Sequence, residues 1–320
     1  SRTKRLILTC AAGLSVLLVV IIAGKSAFGK RMDKETESCP VPVNLNETLT
    51  NEMSDTSCLA GFDKIVKDYL TYWGIHGASL SVMRNDSLLF AKGYGEADTD
   101  KKMGPGNILR MASVSKLVTA VGIMVLQERG LLSIKDHVFG PDGILNDSAY
   151  VAAIKDTLYN RITVEDLLRH KGGFSKRGGD PMFSTRWIMM QNGWKEVPTQ
   201  EQLMEIQLKR RVKFVPGTAQ EYSNFGYLAL SMVIEKVSGM DYETFMQENV
   251  LRPIGCVDFH IAGNYYKHKL PNETRYYVQL DDEPAEEFNN SGRKVIRCYG
   301  GNNVTGLSGG RHRHRNWHCS

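Results

Sequence analysis

Leu59, Phe62, Ile65, Val66, Tyr69, Leu70 and Trp73 recur at three- and four-residue intervals, and Gly74 ends the run. That spacing gathers the apolar side chains on one face and predicts a helix. The rhythm then becomes that of strands. Ala78 to Met83 and Leu88 to Tyr94 read as a hairpin, joined by a turn over Asn85 and Asp86. A different pattern follows Lys116. Leu117, Val118, Ala120, Val121, Ile123, Met124, Val125 and Leu126 cover nearly the whole circumference of a helix. Such a helix is expected in the middle of a protein, buried on every side, with Gly130 as its C-terminal stop.

The middle of the chain reads as mostly helical. Thr163 and Asp166 have the spacing of a capping box that opens a short helix ending at Gly172-Gly173. A longer helix is predicted from about Phe225 to Val237, stopped by Gly239, and a third starts behind Asp241 and ends at Pro253. The chain has no internal repeat and no low-complexity tract. Hairpin, buried helix and helical middle imply an α/β or α+β class, with strands at the ends of the domain.

The N-terminus departs from this pattern. Arg2, Lys4 and Arg5 precede an apolar run from Leu6 to Gly24 that carries no charge. At about 1.5 Å rise per residue such a run just crosses a hydrocarbon core. It is long for the core of a signal peptide, and no clear small-residue cleavage site follows. An uncleaved signal anchor is expected over 6–24, with 1–5 as a cytoplasmic flank; a cleaved signal peptide is the alternative. Residues 25–56 are polar and aperiodic and read as a tether.

Composition narrows the function. Of the 320 residues, 42% are hydrophobic and 23% charged, the balance of an ordinary globular protein. The net charge of +5 is modest and the basic residues are scattered, which argues against nucleic acid as a partner. Of six cysteines, Cys39, Cys58, Cys256 and Cys298 lie outside the apolar run and the tail. They fit an oxidising compartment, but no C-x-x-C pair marks a metal or redox site, and buried thiols are an equal reading. Cys256 and Cys298, both near the expected return to the sheet, are a candidate pair.

Chemistry enters with Ser113-Val114-Ser115-Lys116, at the edge of the apolar helix. Three residues along a helix bring the serine hydroxyl and lysine amine to one face. A serine hydroxyl attacks only when a neighbour removes its proton, and a lysine does so when burial and the positive helix end favour its neutral form. Alone the spacing is weak, because Ser1-Arg2-Thr3-Lys4 repeats it in the flank. A second motif adds weight. Pro216-Gly217-Thr218 leads to Tyr222-Ser223-Asn224 in front of a predicted helix, where a tyrosine can relay a proton and an asparagine can hold a carbonyl.

Ser113-x-x-Lys116 followed by Tyr222-x-Asn224 resembles the group of class C β-lactamases, D-alanyl-D-alanine peptidases and serine esterases. The resemblance runs from about Gly77 to Gly309. It includes Ile162-Thr163-Val164-x-x-Leu167-Leu168-x-His170, Pro216-Gly217 and Leu251-x-Pro253-Ile254-Gly255. It implies a β-lactamase/transpeptidase-like fold, a mostly antiparallel sheet flanked by helices with a helical region. It also implies Ser113 as nucleophile, Lys116 as base, Tyr222 as proton shuttle and Asn224 as substrate ligand, with no cofactor and no metal. The group's third box, Lys- or His-Thr/x-Gly on a strand, does not follow Asn224. The domain, 57–308, is therefore expected to be incomplete at its C-terminal side.

His312-x-His314-x-Asn316-x-His318 in the tail resembles a metallo-hydrolase ligand run, but asparagine stands where an aspartate is needed. Residues 309–320 have neither strand nor helix pattern and read as an aberrant tail, the product of a shifted frame. His170 reads as a hydrogen-bonded structural histidine.

Together these features predict a serine hydrolase that forms an acyl-enzyme on amide or ester bonds of a peptidoglycan-type or other small peptide. The expected setting is the cell envelope, membrane-anchored, with the domain periplasmic or extracellular. The alternatives are a non-catalytic, membrane-anchored penicillin- or muropeptide-binding protein and a β-lactamase proper.

Overall fold

The computed structural model describes residues 45–55, 57–176, 179–277 and 284–301. The predicted anchor, most of the tether, and the tail with its histidine run lie outside them. Among the described residues no helix is long and apolar enough to cross a membrane.

After a helical turn, α1 (Leu45–Thr48), the first long helix is α2 (Ala60–Trp73), ended by Gly74 in the left-handed conformation. The hairpin follows as β1 (Gly77–Arg84) and β2 (Ser87–Asp98), antiparallel, with the short β3 (Lys101–Lys102) on the outer edge of β2. Asn85 and Asp86 both take positive φ, 49° and 59°, as a two-residue hairpin turn demands. Leu70 of α2 packs on Phe90 and Tyr94 of β2 in a small core. A lysine reinforces this contact. Lys92, on β2, is almost wholly buried and pairs with Asp55 and, at 2.6 Å, with Asp63 of α2. Tyr94 donates to the other oxygen of Asp63 at 2.7 Å.

Part of the stretch read as tether belongs to this layer. Asn51 accepts from the Gly93 N–H at 2.8 Å and donates to the Met103 carbonyl at 2.9 Å. Ser54 exchanges two hydrogen bonds with the Ala91 backbone. Such pairing of polar side chains to strand backbone leaves no apolar period to read.

The larger core is helical. It is built on α3 (Ser115–Glu128), α4 (Ser148–Ala153), α5 (Val164–Leu168), α6 (Thr185–Asn192), α7 (Gln200–Leu208), α8 (Asn224–Ser238) and α9 (Tyr242–Met246). Every residue of α8 from Phe225 to Ile234 is buried, so this helix is the centre of the layer. Helix α3 crosses it closely at Gly122, where an added Cβ would lie 2.7 Å from Met246 Sδ and 3.2 Å from Ile234 Cδ1. Ile123 and Leu126 are fully buried there.

The expectation that α3 is buried all round is corrected on one side. Leu117, Val121 and Met124 are 67%, 42% and 44% exposed. They share a stripe one turn apart, opposite the face that α8 and α9 cover, and no described element lies over them. Helix α5 also differs from its expected end. Its capping box forms between Thr163 and Asp166, but it stops at Leu168 because His170 takes a φ of 57°. The last strands are short: β4 (Ala285–Glu286) pairs antiparallel with β5 (Lys294–Val295).

Arg110 ties this last region to the chain ahead of the motif serine. Its guanidinium donates to Glu273 and to the carbonyls of Gly263 and Cys298, and lies 4.5 Å from the Tyr276 ring centre. Cys256 and Cys298 form no disulfide, which corrects their expected pairing; the Cys298 thiol donates to the Tyr276 carbonyl at 3.4 Å.

Candidate active site

Ser113 sits in a 3-10 turn, Ala112–Val114, that runs directly into α3. Ala112 has a φ of 44°, a conformation that costs a residue with a Cβ roughly 1–3 kcal/mol. The kink turns the serine to the surface at the helix entrance, where the Met111 and Ala112 carbonyls accept from the Val114 and Ser115 N–H groups. One turn later, Lys116 projects from the same face, with Nζ 3.2 Å from Ser113 Oγ.

The second half of the site comes from the loop before α8. Gly217 begins it with a φ of 81° and donates its N–H to the Lys171 carbonyl at 3.0 Å. His170 then holds the loop twice: its carbonyl accepts from the Glu221 N–H at 2.9 Å, and its Nδ1 accepts from the Ser223 N–H at 3.2 Å. Ser223 caps α8, its Oγ accepting from the Gly226 N–H. Tyr222, held between these contacts, donates its hydroxyl to Ser113 Oγ at 2.6 Å. Asn224 Oδ1 accepts from Lys116 Nζ at 2.9 Å. The structure thus brings together all four residues singled out from the sequence, from two segments 106 residues apart between Lys116 and Tyr222.

The electrostatics are those of a half-open cleft. Lys116 Nζ lies over two aromatic rings, 4.8 Å from the centre of Tyr222 and 5.7 Å from that of Tyr227. Burial, then the charges of Lys116 and Lys176, hold the His170 imidazole below its ordinary pKa, so its Nδ1 stays an acceptor. Burial, then Tyr222, raises the Tyr227 phenol. Tyr222 is 45% exposed and Ser113 faces solvent beside it.

Sequence reasoning missed Asp180, whose carboxylate accepts from the Asn224 side chain at 3.0 Å. No motif spacing points to it, since it lies 44 residues away in an irregular loop. An open cavity of about 510 Å³ between α2 and β2, lined by Lys67, Leu70, Lys92 and Met103 among others, contains none of the site residues. Among the described residues no group of three His, Cys, Asp or Glu side chains gathers in a metal-binding cluster.

With this geometry in place, the match to a family model is decisive. The model described as Beta-lactamase matches residues 62–296, well over half the chain. The chain belongs to the beta-lactamase family. Penicillin-binding protein 4* of Bacillus subtilis (strain 168) is 25% identical over 213 residues, covering 59% of this chain and 43% of that protein. A putative D-alanyl-D-alanine carboxypeptidase of Escherichia coli O157:H7 is 23% identical over 234 residues, covering 69% of this chain and 49% of that protein. The chain therefore spans less than half the length of these curated relatives.

Among solved structures, the penicillin binding protein from Bacillus halodurans superposes with a TM-score of 0.53. It shares 20% identity, with 75% of this chain and 70% of that chain covered. That likeness shows the fold, β-lactamase/transpeptidase-like, with antiparallel strands against a helical region. In this beta-lactamase-family chain the serine stands in the 3-10 turn that enters α3 and the lysine on the first turn of that helix, and the tyrosine and asparagine face them from the α8 entrance.

Proposed function

We propose that this chain is a serine hydrolase that works through an acyl-enzyme on amide or ester bonds. In this reading Lys116 takes the Ser113 proton as Oγ attacks the substrate carbonyl carbon. The oxyanion that forms meets the Ser113 N–H at the head of α3. Tyr222 relays that proton from Lys116 to the departing nitrogen or oxygen, and the leaving group is released. Asn224 offers an N–H to the carbonyl of the substrate's neighbouring amide. Water then gives a proton to the lysine–tyrosine pair as its oxygen adds to the acyl carbon, and collapse of that intermediate sends that proton to Ser113 Oγ and frees the acid. The observation that carries this reading is the convergence of Lys116 Nζ and the Tyr222 hydroxyl on Ser113 Oγ.

The substrate class is a peptidoglycan-type or other small peptide, with β-lactam or ester hydrolysis next. The names of a penicillin-binding protein and a putative D-alanyl-D-alanine carboxypeptidase among the relatives support that choice. The apolar run Leu6–Gly24 supports an envelope setting, anchored in a membrane with the domain outside the cytoplasm.

A second reading draws on the exposure of Ser113 and Tyr222. Such an accessible nucleophile can accept a strained acyl donor, and if the acyl group then stays on Ser113 the chain acts as a penicillin- or muropeptide-binding sensor. Covalent capture separates these readings. Penicillin and fluorophosphonate probes should each add to the protein, with mass spectrometry placing the adduct on Ser113. Steady hydrolysis beyond one equivalent supports the enzyme; a single stoichiometric burst supports the sensor. Labelling that persists in Ser113→Ala would defeat both.

A further inference from the structure

Asn224 lies between a lysine and a carboxylate. Its Oδ1 faces Lys116 Nζ at 2.9 Å, while its Nδ2 donates to Asp180 Oδ2 at 3.0 Å. The Asn224 backbone N–H approaches the same oxygen at 3.4 Å. The other Asp180 oxygen accepts from the Met182 N–H at 3.0 Å, capping the turn Pro181–Phe183. Behind this carboxylate, half-buried Arg210 donates to the Gly179 carbonyl at 3.0 Å and lies within electrostatic reach of Asp180. The Asp180 side chain is thus held from two sides and aimed at the amide.

An asparagine amide is nearly symmetric in shape but not in chemistry, since one end only accepts and the other only donates. An ionised carboxylate only accepts. It therefore draws the NH2 end of Asn224 toward itself and leaves the oxygen for Lys116. This matters for a base, whose lone pair must point at Ser113 Oγ while its own N–H groups find an acceptor elsewhere. With the amide turned over, NH2 would confront the lysine donor to donor. The second N–H of Nδ2 stays available to a substrate carbonyl only in the upright orientation.

We infer that Asp180 is a positioning residue that fixes the Asn224 amide with its oxygen on Lys116 and so aims the lysine at Ser113. Its effect on rate rests on the catalytic reading above; the Asp180–Asn224 contact does not. Asp180→Asn is nearly isosteric and lets the amide sit either way up. In the full chain it should slow fluorophosphonate capture at Ser113 by about tenfold to a hundredfold, the range for impaired general-base catalysis. Asp180→Glu should recover part of the rate. A purely structural role would lower the melting temperature without slowing capture below it and without rescue by glutamate, and an unchanged capture rate in Asp180→Asn would overturn the inference.

Absence of capture by the unmodified chain would sink the catalytic reading instead, and the contact is then decided by unfolding. A double-mutant cycle of Asp180→Ala and Asn224→Ala should be non-additive by about tenfold or more in the unfolding constant, as for a charge-assisted hydrogen bond. Additive effects would overturn it.

Discussion

The ring of His170 lies 4.5 Å from that of Tyr222, tilted by 38°, while its Nδ1 accepts the N–H of Ser223, the next residue. One imidazole therefore backs the tyrosine and fixes the turn that delivers it. Both contacts belong to the neutral ring. Protonation would turn the acceptor into a donor facing another donor and set a second cation beside Lys116.

That relationship gives a pH dependence whose sign follows from the depressed pKa. Burial, then Lys116 and Lys176, holds the folded value below the ordinary 6.5, so the unfolded chain takes the proton first. The contribution of His170 to stability is complete above 6.5 and is lost as pH falls from there through the folded value. His260 works in the opposite sense, raised by Glu243, so the comparison must be made against a His170 variant. Between about pH 7.5 and pH 5, across the histidine range, melting temperature should fall further for the unmodified chain than for His170→Gln. Parallel curves would remove His170 from the account.

The two partners of Ser113 should differ in what they control. Lys116→Ala should reduce capture at Ser113 by about 10²–10⁴, the usual worth of a positioned general base. Tyr222→Phe should leave capture of a fluorophosphonate, with its good leaving group, less affected. It should slow amide cleavage by about tenfold or more, since the proton to the leaving nitrogen is what the phenol supplies. Tyr222 is half exposed, so its loss should move stability by only about 0.5 kcal/mol. Stopped-flow and steady-state rates on one amide and one activated ester would check the split.

These roles show which parts of the site were legible in the sequence. Ser113 and Lys116 were, because their spacing of three, weak alone, is joined downstream by Tyr222-x-Asn224. The hairpin was legible because Asn85 and Asp86 tolerate the left-handed turn that two-residue loops require. Asp180 was not, because a hydrogen bond across 44 residues leaves no local pattern. The open side of α3 was not either. Periodicity says which positions are apolar, and only the packing of α8 and α9 says which are covered. The end of α5 was misread for a related reason, since a histidine rather than a glycine takes the left-handed position.

Gly122 should accept alanine and reject larger side chains. Its missing Cβ admits Met246 Sδ and Ile234 Cδ1 at distances that a side chain would invade, 2.7 Å and 3.2 Å. The methionine end can yield, but Ile234 is fully buried and has little room to do so. Gly122→Ala sets a gain of about 1 kcal/mol in helix propensity against a modest clash and should be close to neutral. Gly122→Val adds two branches where one already collides and should cost about 1–3 kcal/mol. Urea unfolding should show a lower midpoint at unchanged slope for valine; equal midpoints for both variants would count against the close crossing.

The stripe of Leu117, Val121 and Met124 makes the last prediction. A fully buried side chain of this size contributes about 1.5–3 kcal/mol through removal from water. Three of them at 67%, 42% and 44% exposure forgo much of that gain on one helix face. Val114, 51% exposed in the preceding turn, extends the same surface. A contiguous apolar patch on an isolated chain is a site of association. The purified chain should therefore bind an apolar dye such as ANS and sediment as larger species with rising concentration. Leu117→Gln, Val121→Lys and Met124→Gln combined should suppress both effects. The same triple variant should leave the melting temperature nearly unchanged, because the side chains it replaces make little of the core, which lies on the Ile123 and Leu126 side. If the variant instead melts well below the parent, the stripe is buried in solution by something the fold itself supplies. If the parent stays monomeric and dye-free at every concentration, the patch is too small to drive association.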